Sequence, residues 1–228
     1  MKRTVAIVED DIPIRNNYAE ALRRQGYRVK TFGTRDSAMT AFRSHLPDLV
    51  LLDIALHDEI DAGFDMCREL RTMSTKLPII FLTARDCDYD AISGLRVGGD
   101  DYLTKDVSLP HISARISALF RRVDALSDPT DQRAERTCGE LVIDPDRVAV
   151  RWRSNIVDLT LTEFWIVNAL TKNPGHVKTR DQLMEAANIF VDDTTVSSYI
   201  KRIRKKFAEV DSSFNQIETI YGMGYRWI

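Results

Sequence analysis

Five times between residues 4 and 122 a short apolar run precedes a stretch with helical spacing, and no other feature of the 228 residues restricts the fold as much. TVAIV (4–8) leads into Ile14, Tyr18, Ala21 and Leu22 at i, i+4, i+7 and i+8, with Pro13 in the first turn, where proline is tolerated. YRVKTF leads into Ala38, Phe42 and Leu46, DLVLLD into Phe64, Cys67 and Leu70, PIIFLT into Ile92 and Leu95, and DYLT into Ile112, Ile116, Leu119 and Phe120. The first, third and fourth runs are almost continuously apolar, as parallel strands are when helices cover both faces. The expected fold over residues 1–122 is an α/β doubly wound five-stranded parallel sheet, with its site beyond the carboxyl ends of the strands.

Residues 123–136, VDALSDPTDQRAER, lose this periodicity and collect Asp, Ser, Pro and Gln, which reads as a linker. From 137 to 228 the pattern changes. Short strand-like pieces precede helical stretches near 162–172, 179–187 and 193–209, and QIETIYGMGYRWI closes the chain as a hairpin around Gly222-Met223-Gly224. A second domain of α+β class is expected. Lys and Arg total 32 against 34 Asp and Glu, so any nucleic-acid site must be a local basic stripe. The widely spaced Cys67, Cys87 and Cys138 suit reduced thiols, and no apolar stretch is long enough for a membrane span. A cytoplasmic protein with no membrane partner is expected.

The residues at the strand ends carry chemistry. The first strand ends in Glu9-Asp10-Asp11, the third in Asp53, the fourth in Thr83 and the fifth in Lys105. A doubly wound sheet makes these ends converge. Gathered carboxylates raise one another's pKa unless a cation neutralises them, and hard oxygen ligands suit Mg²⁺. Asp53 is then a nucleophile toward a phosphoryl group, Lys105 neutralises transferred oxygens, and Thr83 offers a hydroxyl hydrogen bond. A single Asp, Thr or Lys at a strand end is more often a cap or a solvated turn residue; four strand ends in agreement argue otherwise.

VAIVEDD, LVLLDIAL, PIIFLTAR and GGDDYLTKD resemble the receiver domain of two-component response regulators. The resemblance implies that Glu9 and Asp10 are the acidic pair, Asp53 the phosphorylated aspartate, Thr83 and Lys105 the phosphate contacts, and Tyr102 the aromatic switch. Asp11 falls outside the pair and reads as a helix N-cap. A main-chain carbonyl ligand for Mg²⁺ falls to Ala55. Two departures stand out: Asp106 follows the lysine where the family has proline, and DIALHDEIDAGF is longer and more acidic than the family's loop, with His57, Asp58, Glu59 and Asp61. Asp106 is a possible competitor for Lys105.

LTLTEFWIVNALTKNPGHVKTRDQLMEAAN, VSSYIKRIRKKF and IETIYGMGYRW resemble the winged helix-turn-helix effector domain of the OmpR/PhoB family. Near 193–209, Val196, Ile200, Ile203 and Phe207 give one buried face. Thr194, Ser198, Lys201, Arg202 and Lys205 fall opposite, with Arg204 and Lys206 at the flanks, a shape that enters a major groove with its cations on phosphates. Tyr199 stands where the family often has histidine, and Tyr221 or Arg226 of the terminal hairpin is expected near the minor groove or backbone.

The same resemblance implies a homodimer on activation, through the face of the receiver's fourth helix, fifth strand and fifth helix. Asp101 would pair with Arg115, and Asp100 with Arg122, across the two-fold axis. A third family pair is lost at Ala91 and His111. The implied function is a phosphorylation-controlled transcription regulator. A sensor histidine kinase donates to Asp53 with Mg²⁺, paired effector domains bind promoter DNA, and the receiver catalyses only its own phosphoryl transfer and dephosphorylation. The nearest alternative is a regulator of this fold that works without phosphorylation. A phosphohydrolase with an aspartyl nucleophile is more distant, since such enzymes usually follow the first strand with an Asp-x-Asp nucleophile motif.

Overall fold

β1 (Thr4–Val8) pairs in parallel with both β2 (Arg28–Phe32) and β3 (Leu49–Leu52), and β4 (Ile79–Thr83) and β5 (Asp101–Thr104) continue the sheet beyond β3. The order β2-β1-β3-β4-β5 reverses direction between β1 and β3, which places a crevice at their carboxyl ends. Every residue of β1, β3 and β4 is buried, which explains their unbroken apolar sequences; the edge strands β2 and β5 are only partly covered. The structure is a computed structural model that describes residues 2–57, 59–84, 97–124, 135–187 and 193–228, without the side chains of residues 122, 193 and 194. The helix expected through Ile92 and Leu95, with Cys87 and Ala91, lies outside these residues.

Among the described residues the helices that accompany this sheet are α1 (Ile12–Arg24), α2 (Arg35–Ser44), α3 (Ala62–Met73) and α4 (Leu109–Asp124). Asp11 caps α1 as expected, its carboxylate accepting from Ile14 N at 2.9 Å. Ala6, Val8, Val50, Leu52 and Phe81 of the sheet form one core with Met39 and Phe42 of α2 and Phe64, Cys67 and Leu70 of α3. Strand alternation turns Val5, Ile7 and Leu51 to the opposite face.

The chain divides into two compact units, Met1–Ser117 and Ala118–Ile228. Most of the expected linker lies outside the described residues, and the second unit's first strand begins at Arg136. There, β6 (Arg136–Cys138), β7 (Leu141–Asp144), β8 (Ala149–Trp152) and β9 (Asn155–Ile156) form an antiparallel sheet; β6 has no counterpart in the sequence pattern. Three helices follow, α5 (Leu161–Thr171), α6 (Arg180–Ala186) and α7 (Asp193–Val210), and then the hairpin of β10 (Ile217–Ile220) and β11 (Gly224–Trp227). Capping boxes start α5 (Thr160 with Glu163) and α6 (Thr179 with Gln182). Trp152, Phe207, Phe214 and Trp227 pack ring to ring, joining β8, α7 and β11. This is a winged helix, with β10 and β11 as its wing. Among the described residues no helix is long and apolar enough to cross a membrane.

Candidate functional site

Main-chain bonds that extend the sheet past its strand ends hold the predicted pocket residues in place. Glu9 N donates to Phe32 O at 3.0 Å, Asp53 N to Val8 O at 3.0 Å, and Lys105 N to Thr83 O at 2.8 Å. Lys105 Nζ crosses the crevice to Glu9 Oε1 at 2.8 Å and Asp53 Oδ2 at 2.7 Å. Glu9, Asp53 and Thr83 are all buried. Arg15, which the sequence pattern did not single out, supports the acidic pair from behind, its guanidinium donating to Glu9 O at 2.5 Å and Asp10 O at 3.2 Å.

Burial dominates the electrostatics of Glu9 and pushes its carboxyl up to about 7, although its hydrogen bond from Lys105 pulls the other way. Burial also opposes the charge on Lys105, but the bonds to Asp53 and Glu9 outweigh it and hold the ammonium above its ordinary range. One ligand oxygen from each of Glu9, Asp10 and Asp53 lies within 4.8 Å of the others. Three hard donors at this spacing fit a divalent cation, whose charge would return Glu9 to its ionised form. Ala55 lies on the loop beyond Asp53, half-buried, and Tyr102 is a half-buried β5 residue with its ring 6.4 Å from that of Phe81.

The two departures at this site resolve differently. No cis peptide occurs among the described residues, and Asp106 accepts from the Thr104 hydroxyl, so it does not take Lys105 from Asp53. In the loop after Asp53, Leu56 and Glu59 exchange two main-chain bonds of 3.1 Å, and His57 between them adopts φ 56°. The His57 amide donates to Asp10 Oδ2 at 2.8 Å.

Three residues of the expected dimer pairs have partners within their own chain. Asp100 is wholly buried, bound by Arg71 Nη2 at 2.7 Å and by Ile79 N at 3.0 Å. Asp101 and Arg115 meet within one chain at 3.4 Å and are both buried. That ion pair fixes α4 against β5 of its own sheet. Arg122 lies on α4, and its side chain is outside the described residues.

On α7 the expected inner face is correct: Val196, Ile200, Ile203 and Phe207 are buried. Four polar residues, Tyr199, Arg202, Arg204 and Lys206, are engaged within the unit. Tyr199 is 1% exposed, with the Arg202 guanidinium 4.9 Å from its ring centroid, and so belongs to the core rather than to a DNA-facing surface. Arg202 turns inward to Glu163 Oε1 at 2.5 Å, and Lys206 reaches the other carboxylate oxygen at 2.6 Å. Burial pushes the Glu163 carboxyl up, but Arg202 and Lys206 outweigh that and hold it below its usual range. Arg204 donates to Ile217 O at 2.7 Å and Thr219 Oγ1 at 2.9 Å, tying the helix to the wing. Ser198 is half-buried, and Lys201 and Lys205 remain exposed; Thr194 is on the first turn, its side chain outside the described residues. Tyr221 stands 94% exposed at the wing tip, while Arg226 pairs with Glu218 across the hairpin at 2.7 Å.

Comparisons with known proteins agree with both units. A family model described as the response regulator receiver domain matches residues 5–117, and one described as transcriptional regulatory protein, C terminal, matches residues 154–227. The chain is 33% identical over 227 residues to the transcriptional regulatory protein CreB of Escherichia coli K12, covering 98% of this chain and 97% of that one. It is 37% identical over 226 residues to the transcriptional regulatory protein AfsQ1 of Streptomyces coelicolor, with coverage of 98% and 97%. Among solved structures, the response regulator DrrB of Thermotoga maritima, an OmpR/PhoB homologue, matches with a TM-score of 0.53 and 30% identity over 100% of this chain and 99% of that one. A mutant of RitR matches with a TM-score of 0.75 and covers 99% of each chain, a likeness of fold at 24% identity.

Proposed function

Because the chain belongs to the two-component response regulators that join a receiver to an OmpR/PhoB-type DNA-binding domain, we propose that phosphorylation of Asp53 controls its binding to promoter DNA. The observation that carries this reading is the contact of Lys105 Nζ with Asp53 Oδ2 at 2.7 Å beside the acidic pair. An Asp53 oxygen attacks the phosphorus of a donor phosphohistidine on a sensor kinase, and the P–N bond breaks as the new P–O bond forms. Lys105 then neutralises the transferred oxygens, Thr83 donates its hydroxyl to one of them, and Tyr102 follows as the switch. Glu9, Asp10 and Asp53, with the Ala55 carbonyl, would hold Mg²⁺, which supplies further neutralisation of the phosphoryl charge.

Dimerisation on the face of β5 and α4 then brings two winged helices onto adjacent half-sites about one helical turn apart. Ser198, Lys201 and Lys205 of α7 face the major groove, Thr194 leads, and the wing with Tyr221 and Arg226 lies along the neighbouring groove. The chain works as a cytoplasmic regulator and turns over no other substrate. Of the two grounds for a phosphorylation-independent regulator, competition by Asp106 for Lys105 has no support in the geometry, because Asp106 is engaged by Thr104, while the long acidic loop after Asp53 keeps that reading as the second one.

Incubation of the full chain with Mg²⁺ and a small phosphodonor is expected to add one phosphoryl group by intact mass, and Asp53→Ala to abolish the addition. Unmodified wild type, under conditions that label a control receiver, overturns the proposal. Equal promoter affinity for wild type and Asp53→Ala with donor present would favour the phosphorylation-independent regulator.

A further inference from the structure

The loop after Asp53 brings an imidazole to the acidic pair. Two main-chain bonds between Leu56 and Glu59 close the turn, and they hold His57 at φ 56°, a left-handed conformation uncommon outside glycine. From there its amide donates to Asp10 Oδ2 at 2.8 Å and its Nδ1 stands 3.6 Å from the same oxygen. The side chain is 59% exposed and has room to turn. We propose that His57 is a nitrogen ligand of the cation held by Glu9, Asp10 and Asp53, so that this pocket takes imidazole-binding divalent ions such as Mn²⁺, Co²⁺ and Zn²⁺ with a preference that three carboxylates alone would not give. The proposal rests on the reading of those carboxylates as a cation site.

The geometry suits shared ligation. Two donor atoms about 2.0–2.2 Å from one ion stand roughly 3.0 Å apart on an octahedral edge and about 3.4 Å apart in a tetrahedron. The three carboxylates have ligand atoms within 4.8 Å of one another and His57 falls outside that group, so the exposed imidazole reaches a shared ion by turning inward from its place beside Asp10. The amide bond does not compete, because a carboxylate oxygen that accepts one N–H keeps a second lone pair for an ion. Lys105 lowers the affinity for every divalent cation alike, as its charge lies on Glu9 and Asp53, so it does not discriminate among them. Imidazole does discriminate: it binds zinc and the later first-row metals well, whereas Mg²⁺ prefers an all-oxygen shell and dehydrates reluctantly.

The test uses the full chain and its His57→Gly variant, which removes the imidazole and accepts the positive φ without strain. Pulsed electron paramagnetic resonance of bound Mn²⁺ is expected to show ¹⁴N modulation from a coordinated imidazole in the wild type and none in His57→Gly. Calorimetric Zn²⁺ affinity should fall by about ten-fold or more in the variant. Mg²⁺ affinity should change by less than about two-fold. Mn²⁺ that binds wild type, and is lost in Asp10→Asn, but shows no nitrogen coupling overturns the histidine assignment and leaves the carboxylate site standing. An equal loss of Mg²⁺ and Zn²⁺ in His57→Gly also overturns it, reducing His57 to a main-chain brace. Failure of wild type to bind Mn²⁺ or Mg²⁺ at all overturns both the proposal and the cation site beneath it.

Discussion

Gly63 packs the amino terminus of α3 against the main chain of Asp53 and Ile54: its amide donates to Ile54 O at 2.8 Å, and a Cβ there would collide with Asp53 O and Ile54 Cα. Neither neighbour is a flexible side chain, so backbone must move. Gly63→Ala is expected to cost about 1–3 kcal/mol in urea denaturation, and to slow phosphoryl labelling of Asp53 in the fraction still folded. Unchanged labelling would separate α3 from the pocket. In the effector unit Asp211 has a different role, accepting from the Ser213 hydroxyl and amide and from Trp152 Nε1 at 2.9 Å. These bonds, the Ser213 hydroxyl first, lower its carboxyl from 3.8 to about 2. A carboxyl depressed in the folded state adds stability that is full above its unfolded pKa and is lost as pH falls through the folded one. Asp211→Asn should therefore be less stable than wild type at pH 7, and the gap should close as the pH is lowered from about 4 to about 2. Tryptophan fluorescence during denaturation at each pH measures it.

At the scale of the element, α7 shows how a charged face divides. Of its cations, Arg202 and Lys206 close on the buried Glu163, and Arg204 ties down the wing, so these three hold the helix in place. Lys201 and Lys205 are left exposed, Lys205 with Glu209 3.9 Å away on the same helix, and these two are the proposed phosphate contacts. Replacing each of these two by Ala should reduce the slope of log affinity against log salt by about 0.9 per lost contact, read by fluorescence anisotropy on promoter DNA. Arg202→Ala should leave that slope unchanged and lower the stability of the unit instead, since Glu163 would lose a partner in a buried site. A slope that falls equally for Arg202→Ala would return that arginine to the DNA surface.

For the whole molecule, formal charge is −2, and residues 137–228 carry 12 basic and 12 acidic residues, so one effector unit offers little general attraction to DNA. Pairing of two chains supplies the rest in the proposed scheme. Asp100 is held within its own chain: Arg71 binds its carboxylate and also donates to Gly98 O at 2.9 Å and Leu77 O at 2.5 Å. Asp100→Ala is expected to destabilise the receiver by about 3–5 kcal/mol, the cost of stranding one partner of a buried ion pair. The folded fraction should keep the wild-type monomer–dimer equilibrium, measured by sedimentation with a phosphoryl mimic present. Lost dimerisation with intact stability would restore Asp100 to the interface.

Periodicity and strand-end chemistry were enough to read the parallel sheet and the convergence of Glu9, Asp53 and Lys105, because burial on both faces writes an apolar run directly into the chain, whereas the winged helix was legible only through resemblance to a known family. The cap at Asp11 was legible for a similar reason, since it acts within three residues. Partner choice was not. Whether Arg202 faces DNA or Glu163, 39 positions away, whether Asp100 faces solvent or Arg71, and whether Tyr199 points out or in depend on which helix packs against which. A helical wheel fixes the angle of a side chain around its own axis, and only the tertiary structure sets what stands at that angle. The same holds for His57 and Asp10, 47 positions apart, which meet because a left-handed turn beyond β3 folds back over the end of β1.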